Sequence, residues 1–362
     1  MLNAEFIKKL SAERKEPAWL LHKRLEAFER FSSLPLQSFR YGLHIMLKFD
    51  FDFEKLEIEP QPNTSDDSVI SEAFKENYAK LVKQDKFSAL TLALATCKFL
   101  HAKENEILDI NLNQQDQFNH TLIIAEPNSQ LNIIEKIKAN SSNYRGNIVE
   151  IHAAENTEIN FISYQRLSKE TYCVTSKVAE LQKNAKVNWL DITLGAKFAK
   201  SDVVSLLKGK GAATNSYGIF LGSKEQQFDL YAEAIHAAEE TKSDILMKGA
   251  LKDKAKALYR GLIKIEPVAA KSDGYQKEEV LLLSEDAEAD AIPNLEIKNE
   301  DVRCTHGASI GKIDDEKLFY LMSRGLSRRE AEKLIVEGFF DSLLQKVNIQ
   351  NEIKSILLKK LK

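Results

Sequence analysis

A turn residue followed by a short apolar strand recurs at a fixed interval of 28 residues in the middle of this 362-residue chain. Asn128, Leu131, Asn132, Ile133 and Ile134 are matched by Asn156, Ile159, Asn160, Phe161 and Ile162, and again by Asn184, Val187, Asn188, Trp189 and Leu190. A degraded echo follows at 212–217. A unit of this size cannot bury its apolar face alone, so a fixed period implies units stacked on one another. Helical solenoids share such periods, but these units carry β-branched and aromatic residues in place of leucines at helical spacing. The pattern therefore predicts a mainly β chain built as a parallel β-helix, with a β-sandwich of accidental spacing as the alternative. Leu131, Ile133, Ile159, Phe161, Val187 and Trp189 should point inward, and the polar residues between them outward. Asn before each strand suits a turn that enters the left-handed region. Further strands are expected around Leu206 and at 219–221, 228–231, 245–247, 262–265 and 280–283.

The flanks read differently. Trp19, Leu20, Leu21, Leu25, Phe28 and Phe31 form an apolar stripe on an N-terminal helix, with Pro17 in its first turn and Pro35 beyond its end. Residues 64–69 mark a loop, and a second helix is expected over about 70–83. After Gly311 the pattern is helical again. One segment spans 314–323, with Leu318, Phe319, Leu321 and Met322 available for packing, and Gly325 stops it. Ser327 and Glu330 then form a capping box for a second helix, whose apolar face is expected at Leu334, Ile335, Phe339 and Leu343. A last amphipathic stretch at 349–361 carries three lysines, with Lys362 after them, on a solvated face. Three regions result: an N-terminal helical or mixed region at 1–95, a β-helix at 96–311 and a helical domain at 312–362.

Charge and cysteine content narrow the function. With 51 basic and 54 acidic residues, the formal charge of -3 gives no nucleic-acid footprint. No apolar run approaches the roughly 18 to 20 residues needed to cross a bilayer, and the N-terminus is too charged for a secretory signal. A soluble cytoplasmic protein without nucleic-acid or membrane partners is expected. Cys97, Cys173 and Cys304 are too scattered for a disulfide framework or a four-thiolate metal module. Cys97 and Cys173 read as core positions, and His152 and His236 as structural strand histidines.

Enzyme signatures are missing. Gly209, Gly211, Gly218 and Gly222 match neither common phosphate-binding fingerprint, and there is no metalloprotease, nucleophile-elbow or kinase motif. Asp314, Asp315 and Glu316 most simply begin a helix, where negative charge meets the positive end of its dipole. Cys304 and His306 are sharper. On a strand they share a face, so thiolate and imidazole could reach one iron or a common interface. A buried cysteine beside a structural histidine gives the same spacing, and nothing in that spacing alone activates a nucleophile.

The run Cys304-Thr305-His306-Gly307-Ala308-Ser309-Ile310-Gly311, followed by Leu318-Phe319-Tyr320-Leu321 and Ser323-Arg324-Gly325, closely resembles the SufB/SufD family, and most of all its SufD branch. Gly338-Phe339 ends the same signature. Tyr275-Gln276, Leu281-Leu282-Leu283-Ser284, Ala287, Pro293 and Leu295-Glu296-Ile297 resemble the preceding SufD-like region, and Glu16-Pro17-Ala18-Trp19-Leu20 with Arg24-Leu25-Glu26-Ala27 resembles the family's opening helix. The resemblance implies a right-handed β-helix acting as a noncatalytic subunit of a SufB-SufC-SufD scaffold for iron–sulfur cluster assembly. The paralogue SufB would pair through the β-helical regions, and the SufC ATPase would supply ATP hydrolysis at the C-terminal helices. Leu318, Phe319, Tyr320, Arg324, Gly325 and Phe339 would then contact SufC. His306 matches the histidine implicated at the SufB–SufD interface, where iron or a nascent cluster would bind. Cys304 would be its neighbour, and no cofactor would be held stably by the isolated chain. Residues 276–283 contain no cysteine where the SufB branch carries an important one, which favours SufD. Two departures stand out: the chain is shorter than usual SufD members toward its N-terminus, and Lys277-Glu278-Glu279 is more charged than the family segment. A homodimer through the face presented to SufB is a further expectation. Outside the resemblance, the alternatives are a β-solenoid enzyme acting on a polysaccharide and a purely structural homodimer.

Overall fold

A computed structural model of the protein describes residues 2–41, 45–58, 71–113, 116–140 and 143–345. The expected loop at 64–69 and the basic segment at 349–361 lie outside them. Two helices, α1 (Ala4–Glu13) and α2 (Ala18–Ser33), open the chain. The stretch is not one helix, because Lys15 adopts φ 52° and Pro17 then serves as the N-cap of α2. A two-stranded ribbon of β1 (Arg40–Tyr41) and β2 (Ile45–Met46) follows, then α3 (Glu72–Asn77) and α4 (Lys86–Leu94). The helix expected over 70–83 is short because Ala79 turns out at φ 54°, which frees the Ala79 and Leu81 amides to donate to Glu150 at 2.9 and 2.7 Å.

From Thr96 onward the chain coils. One eight-stranded parallel sheet holds β3 (Thr96–Ala102), β5 (Phe118–Ala125), β7 (Tyr144–Ala153), β9 (Tyr172–Leu181), β11 (Phe198–Leu207), β13 (Gln227–His236), β15 (Lys256–Ile265) and β17 (Glu288–Ile297). The facing sheet, also of eight strands, holds β4 (Glu106–Leu112), β6 (Gln130–Ala139), β8 (Glu158–Leu167), β10 (Lys186–Thr193), β12 (Ala213–Gly222), β14 (Lys242–Leu251), β16 (Asp273–Leu282) and β18 (Arg303–Lys312). Each coil gives one strand to each sheet, so the chain winds as a right-handed parallel β-solenoid. A β-sandwich of antiparallel hairpins is excluded by the parallel pairing of every neighbouring strand in both sheets.

The sequence period is the register of this winding. Leu131 pairs with Ile159 and Ile159 with Val187, while Ile133 pairs with Phe161 and Phe161 with Trp189. All six are buried in one continuous core, where Phe161 and Trp189 lie 5.2 Å apart between ring centroids. Each such side chain withdrawn from water contributes roughly 1.5–3 kcal/mol. The turns repeat as faithfully. Asn128, Asn156 and Asn184 have φ of 66°, 60° and 55°, and their amides form a ladder with links of 3.1 Å. A second ladder joins Asn132, Asn160, Asn188 and Asn215 at 2.9, 2.8 and 2.7 Å. The degraded echo is the next coil, offset by 27 residues from Asn188 to Asn215, with Gly211 taking the left-handed position at φ 73°.

Both outer faces of the solenoid are covered, as parallel sheets require. The N-terminal helices and the aromatic residues Phe39, Phe49 and Phe87 pack on the sheet of β3, with Phe39 and Phe49 touching Phe198 at centroid distances of 5.0 and 5.2 Å. Arg24 is fully buried there, held bidentate by Glu16 at 2.6 Å and donating to the Ala95 carbonyl at 2.7 Å. His120 on β5, also fully buried, meets Glu150 of β7 at 2.7 Å. The other sheet is covered by α6 (Arg328–Leu344), which follows α5 (Asp315–Ser323). The capping box of Ser327 and Glu330 forms, and Gly325 ends α5 at φ 94°. The docked face of α6 is rotated from expectation: Leu343 is buried and Phe339 packs on the core as expected, but Ala331, Val336, Phe340 and Leu344 are buried too, whereas Leu334 is exposed. Lys248 of β14 sets that rotation by donating to the Phe339 carbonyl and Ser342 Oγ at 2.9 and 2.7 Å, its ammonium over the Phe339 ring.

Two stability measurements test these features. Asn156→Ala should cost about 2 kcal/mol in urea unfolding, combining the left-handed penalty with a broken ladder, and Asn156→Gly about half as much. Equal losses would show that the turn conformation is not what the side chain supplies. His120 is pulled toward its neutral form by burial, but the adjoining Cys97 sulfur and Glu150 carboxylate outweigh this and hold it up at about 9. The folded state thus binds its proton more tightly than the unfolded chain. This contribution is complete below about pH 6.5 and is lost as pH rises through 9. Melting temperature should fall across that window, and less steeply in His120→Gln.

Candidate functional site

The last coil has no coil stacked beyond it among the described residues. Among the described residues β17 pairs with β15 and β18 with β16, and neither pairs with a second strand, so each presents an edge of unpaired backbone donors and acceptors. Pro293 is tolerated in β17 because an edge strand can lack a ladder donor. Exposed edges of this length invite another strand.

Cys304 and His306 fall on this edge. Both lie on β18 with side chains on one face, Cys304 paired with Gly274 and His306 with Gln276 of β16. Backbone pairing fixes the two residues, and their chemistry differs. Burial, with Asp273 nearby, pushes the Cys304 thiol up to about 11, so it is protonated at neutral pH and a poor ligand without a metal to displace its proton. His306 is exposed and reachable by a partner. Of the two side chains, the imidazole is the more accessible.

Beneath them lies a residue that motif reading passed over. Alternation along β16 turns Gly274, Gln276, Glu278 and Val280 inward, and Glu278 is only 1% exposed. Neither of its carboxylate oxygens has a hydrogen-bond partner among the described residues. Burial first, and then the charge of Asp290, raise this carboxyl well above its ordinary range. Gln276 Oε1 and the Tyr259 hydroxyl are similarly unpartnered, while Gln276 Nε2 donates to the Asn294 carbonyl at 2.8 Å. Above Glu278 stands Ala308 of β18, too small to seal it. The signal for Glu278 was present in the strand period; its place in a charged run between Lys277 and Glu279 disguised it. Those two neighbours do face outward, paired at 2.8 Å, and Glu279 also meets Lys248 at 2.9 Å.

The helical pair forms a second surface. Phe319 is 74% exposed, Tyr320 56% and Leu334 48%, beside a groove of about 510 Å³ lined by Tyr320, Leu321, Leu334 and Ile335. Arg324 stacks over the Tyr320 ring at 5.2 Å. Leu318 is buried, and Phe339 packs toward the sheet beneath the Lys248 ammonium. Asp314 caps α5, accepting from the Glu316 and Lys317 amides at 3.0 and 3.3 Å, in keeping with a helix start. Cys97 and Cys173 are core residues. His236 is buried between Thr241 and Ser243, each at 2.8 Å, a structural role. His152 is a half-buried residue of β7. Among the described residues no group of three or more His, Cys, Asp and Glu side chains is arranged to hold a metal ion, and no helix is long and apolar enough to cross a membrane.

A solenoid that ends in an open, histidine-bearing coil and a helical pair can be compared with known proteins. The family profile described as SUF system FeS cluster assembly, SufBD core domain, matches residues 108–339. The chain belongs to the SufBD family. An iron–sulfur cluster assembly SufBD family protein of Staphylococcus saprophyticus is 25% identical over 98% of this chain and 91% of its own length. SufBD family proteins of Staphylococcus epidermidis and Staphylococcus haemolyticus are each 30% identical over 78% of this chain, which spans 64% of their length. Membership assigns a scaffold role in iron–sulfur cluster assembly, and the profile covers β18, α5 and most of α6.

Glu278→Gln tests the inner carboxyl. Because its folded pKa is raised, the native chain loses stability as pH climbs above the unfolded value of about 4.3. The amide variant should match wild type near pH 4 and melt roughly 2–4 °C higher at pH 7.5. A lower melting temperature at both pH values would mean that a hidden partner satisfies Glu278.

Proposed function

We propose that this chain is the SufD-like subunit of a SufB–SufC–SufD-type scaffold, noncatalytic itself and working in the cytoplasm. The open edge of the terminal coil is the observation that carries this reading. It offers backbone pairing to a SufB-like paralogue, and it sets His306 where a ligand from that partner can meet it. An imidazole and a partner's thiolate together make a reasonable site for iron or a nascent cluster, which is the cargo. Residues 276–283, the approximate place where the SufB branch carries its cysteine, hold none here, which supports the SufD branch. The exposed aromatic surface of α5 and α6 suits a SufC-like ATPase, whose ATP hydrolysis would move the helical pair.

The free edge is also compatible with a second copy of the chain, so a homodimer is the second reading. Anaerobic co-purification with SufB and SufC under reducing, nucleotide-controlled conditions separates the two. A defined heteromer is expected, and His306→Ala should keep it while reducing cluster loading severalfold. Phe319→Asp with Tyr320→Asp should release SufC and keep SufB. A stable homodimer with no affinity for SufB or SufC would overturn the first reading.

A further inference from the structure

A cleft of about 330 Å³ lies between the first half of α6 and the turns that end β12 and β14. Its floor is apolar: Leu221 and Ala250 come from the sheet, Val336 from α6, and Leu283 closes one side. Its rim is cationic, with Lys224 and Lys252 on the turns and Arg329 and Lys333 on the helix.

The two acids at the rim are already engaged. Asp253 accepts from the Lys224 amide at 2.9 Å, and Glu332 is held by Arg328 at 3.0 Å. Lys224 and Lys252 have no acidic partner among the described residues. An occupant with an apolar body would bury the floor, and a negative head would meet the two lysines.

We propose that this cleft binds a small amphipathic organic anion, with an aromatic or short apolar body and a carboxylate, sulfonate or phosphate head. The site is separate from the terminal coil and does not rest on the SufBD reading. Its position has a mechanical consequence. Lys248 fastens the second half of α6 to β14, whereas the first half, which carries Leu334, borders the cleft. An occupant would bridge that half of the helix to the coil turns.

The test uses the full chain and two dyes of the same shape, anionic 1-anilinonaphthalene-8-sulfonate and its neutral analogue N-phenyl-1-naphthylamine, followed by fluorescence titration. One saturable sulfonate-dye site per chain is expected. The double variant Lys224→Glu, Lys252→Glu should weaken the anionic dye about tenfold or more and change the neutral dye less than about twofold. Leu283→Trp, which fills the cleft from its rim, should weaken both dyes. Circular dichroism and melting temperature confirm that each variant is folded. Absence of a saturable site overturns the proposal. So does unchanged anionic-dye affinity in the charge-reversed variant, which would place the dye on the exposed Phe319 and Tyr320 surface.

Discussion

The register of one coil on the next is the constraint from which the rest of the molecule follows. Parallel pairing at a shift of one coil places like residues above like, so a single unit's pattern of inward apolar and turn residues becomes a column of core and a ladder of amides. A slip of one residue would turn every inward side chain of a strand outward. The asparagine turns resist this slip, since they put a residue that tolerates the left-handed region only where the chain must reverse. With both sheets parallel, both outer faces need covers. That need explains why the N-terminal helices bring two buried arginines against one sheet while α6 docks on the other.

The same packing accepts charge where geometry closes around it. Glu135 lies in the core yet accepts from Asn147 and Ser163 at 2.9 and 2.8 Å, and Lys177 reaches Asp191 at 3.0 Å across the interior. Such a pair adds little net stability over apolar residues of equal volume, but removing one partner would strand the other. Glu278 differs from these pairs in that neither of its carboxylate oxygens has a hydrogen-bond partner among the described residues.

The solenoid was legible because its first three repeats are strict. Beyond them the signal decays for structural reasons. Gly211, Glu240 and Lys271 keep the left-handed turn with other side chains, and register partners such as Lys242 and Asp273 are 31 residues apart. The strand period correctly put Cys304 and His306 on one face of β18. Which face of α6 docks was not readable, because Leu334, Ile335 and Phe339 are as apolar as Val336 and Phe340. A lysine on β14, nearly a hundred residues away, decides it. Glu278 was hidden by its neighbours: in Lys277-Glu278-Glu279 the run looks solvated, and only the alternation of an already placed strand buries its middle member.

The terminal coil joins these strands of reasoning. A solenoid can end by capping its last strands with a helix or by pairing them with another chain. Here α5 and α6 follow β18 directly, yet α6 packs across the face of β8, β10, β12 and β14, and among the described residues no helix covers the end of the stack. Among the described residues the last coils thus combine strand backbone open to water with Glu278, which is buried and has no hydrogen-bond partner. Of the two, the carboxyl is the greater burden, because edge backbone can still bond to water whereas a buried charge cannot, and that is why burial drives Glu278 toward its neutral form.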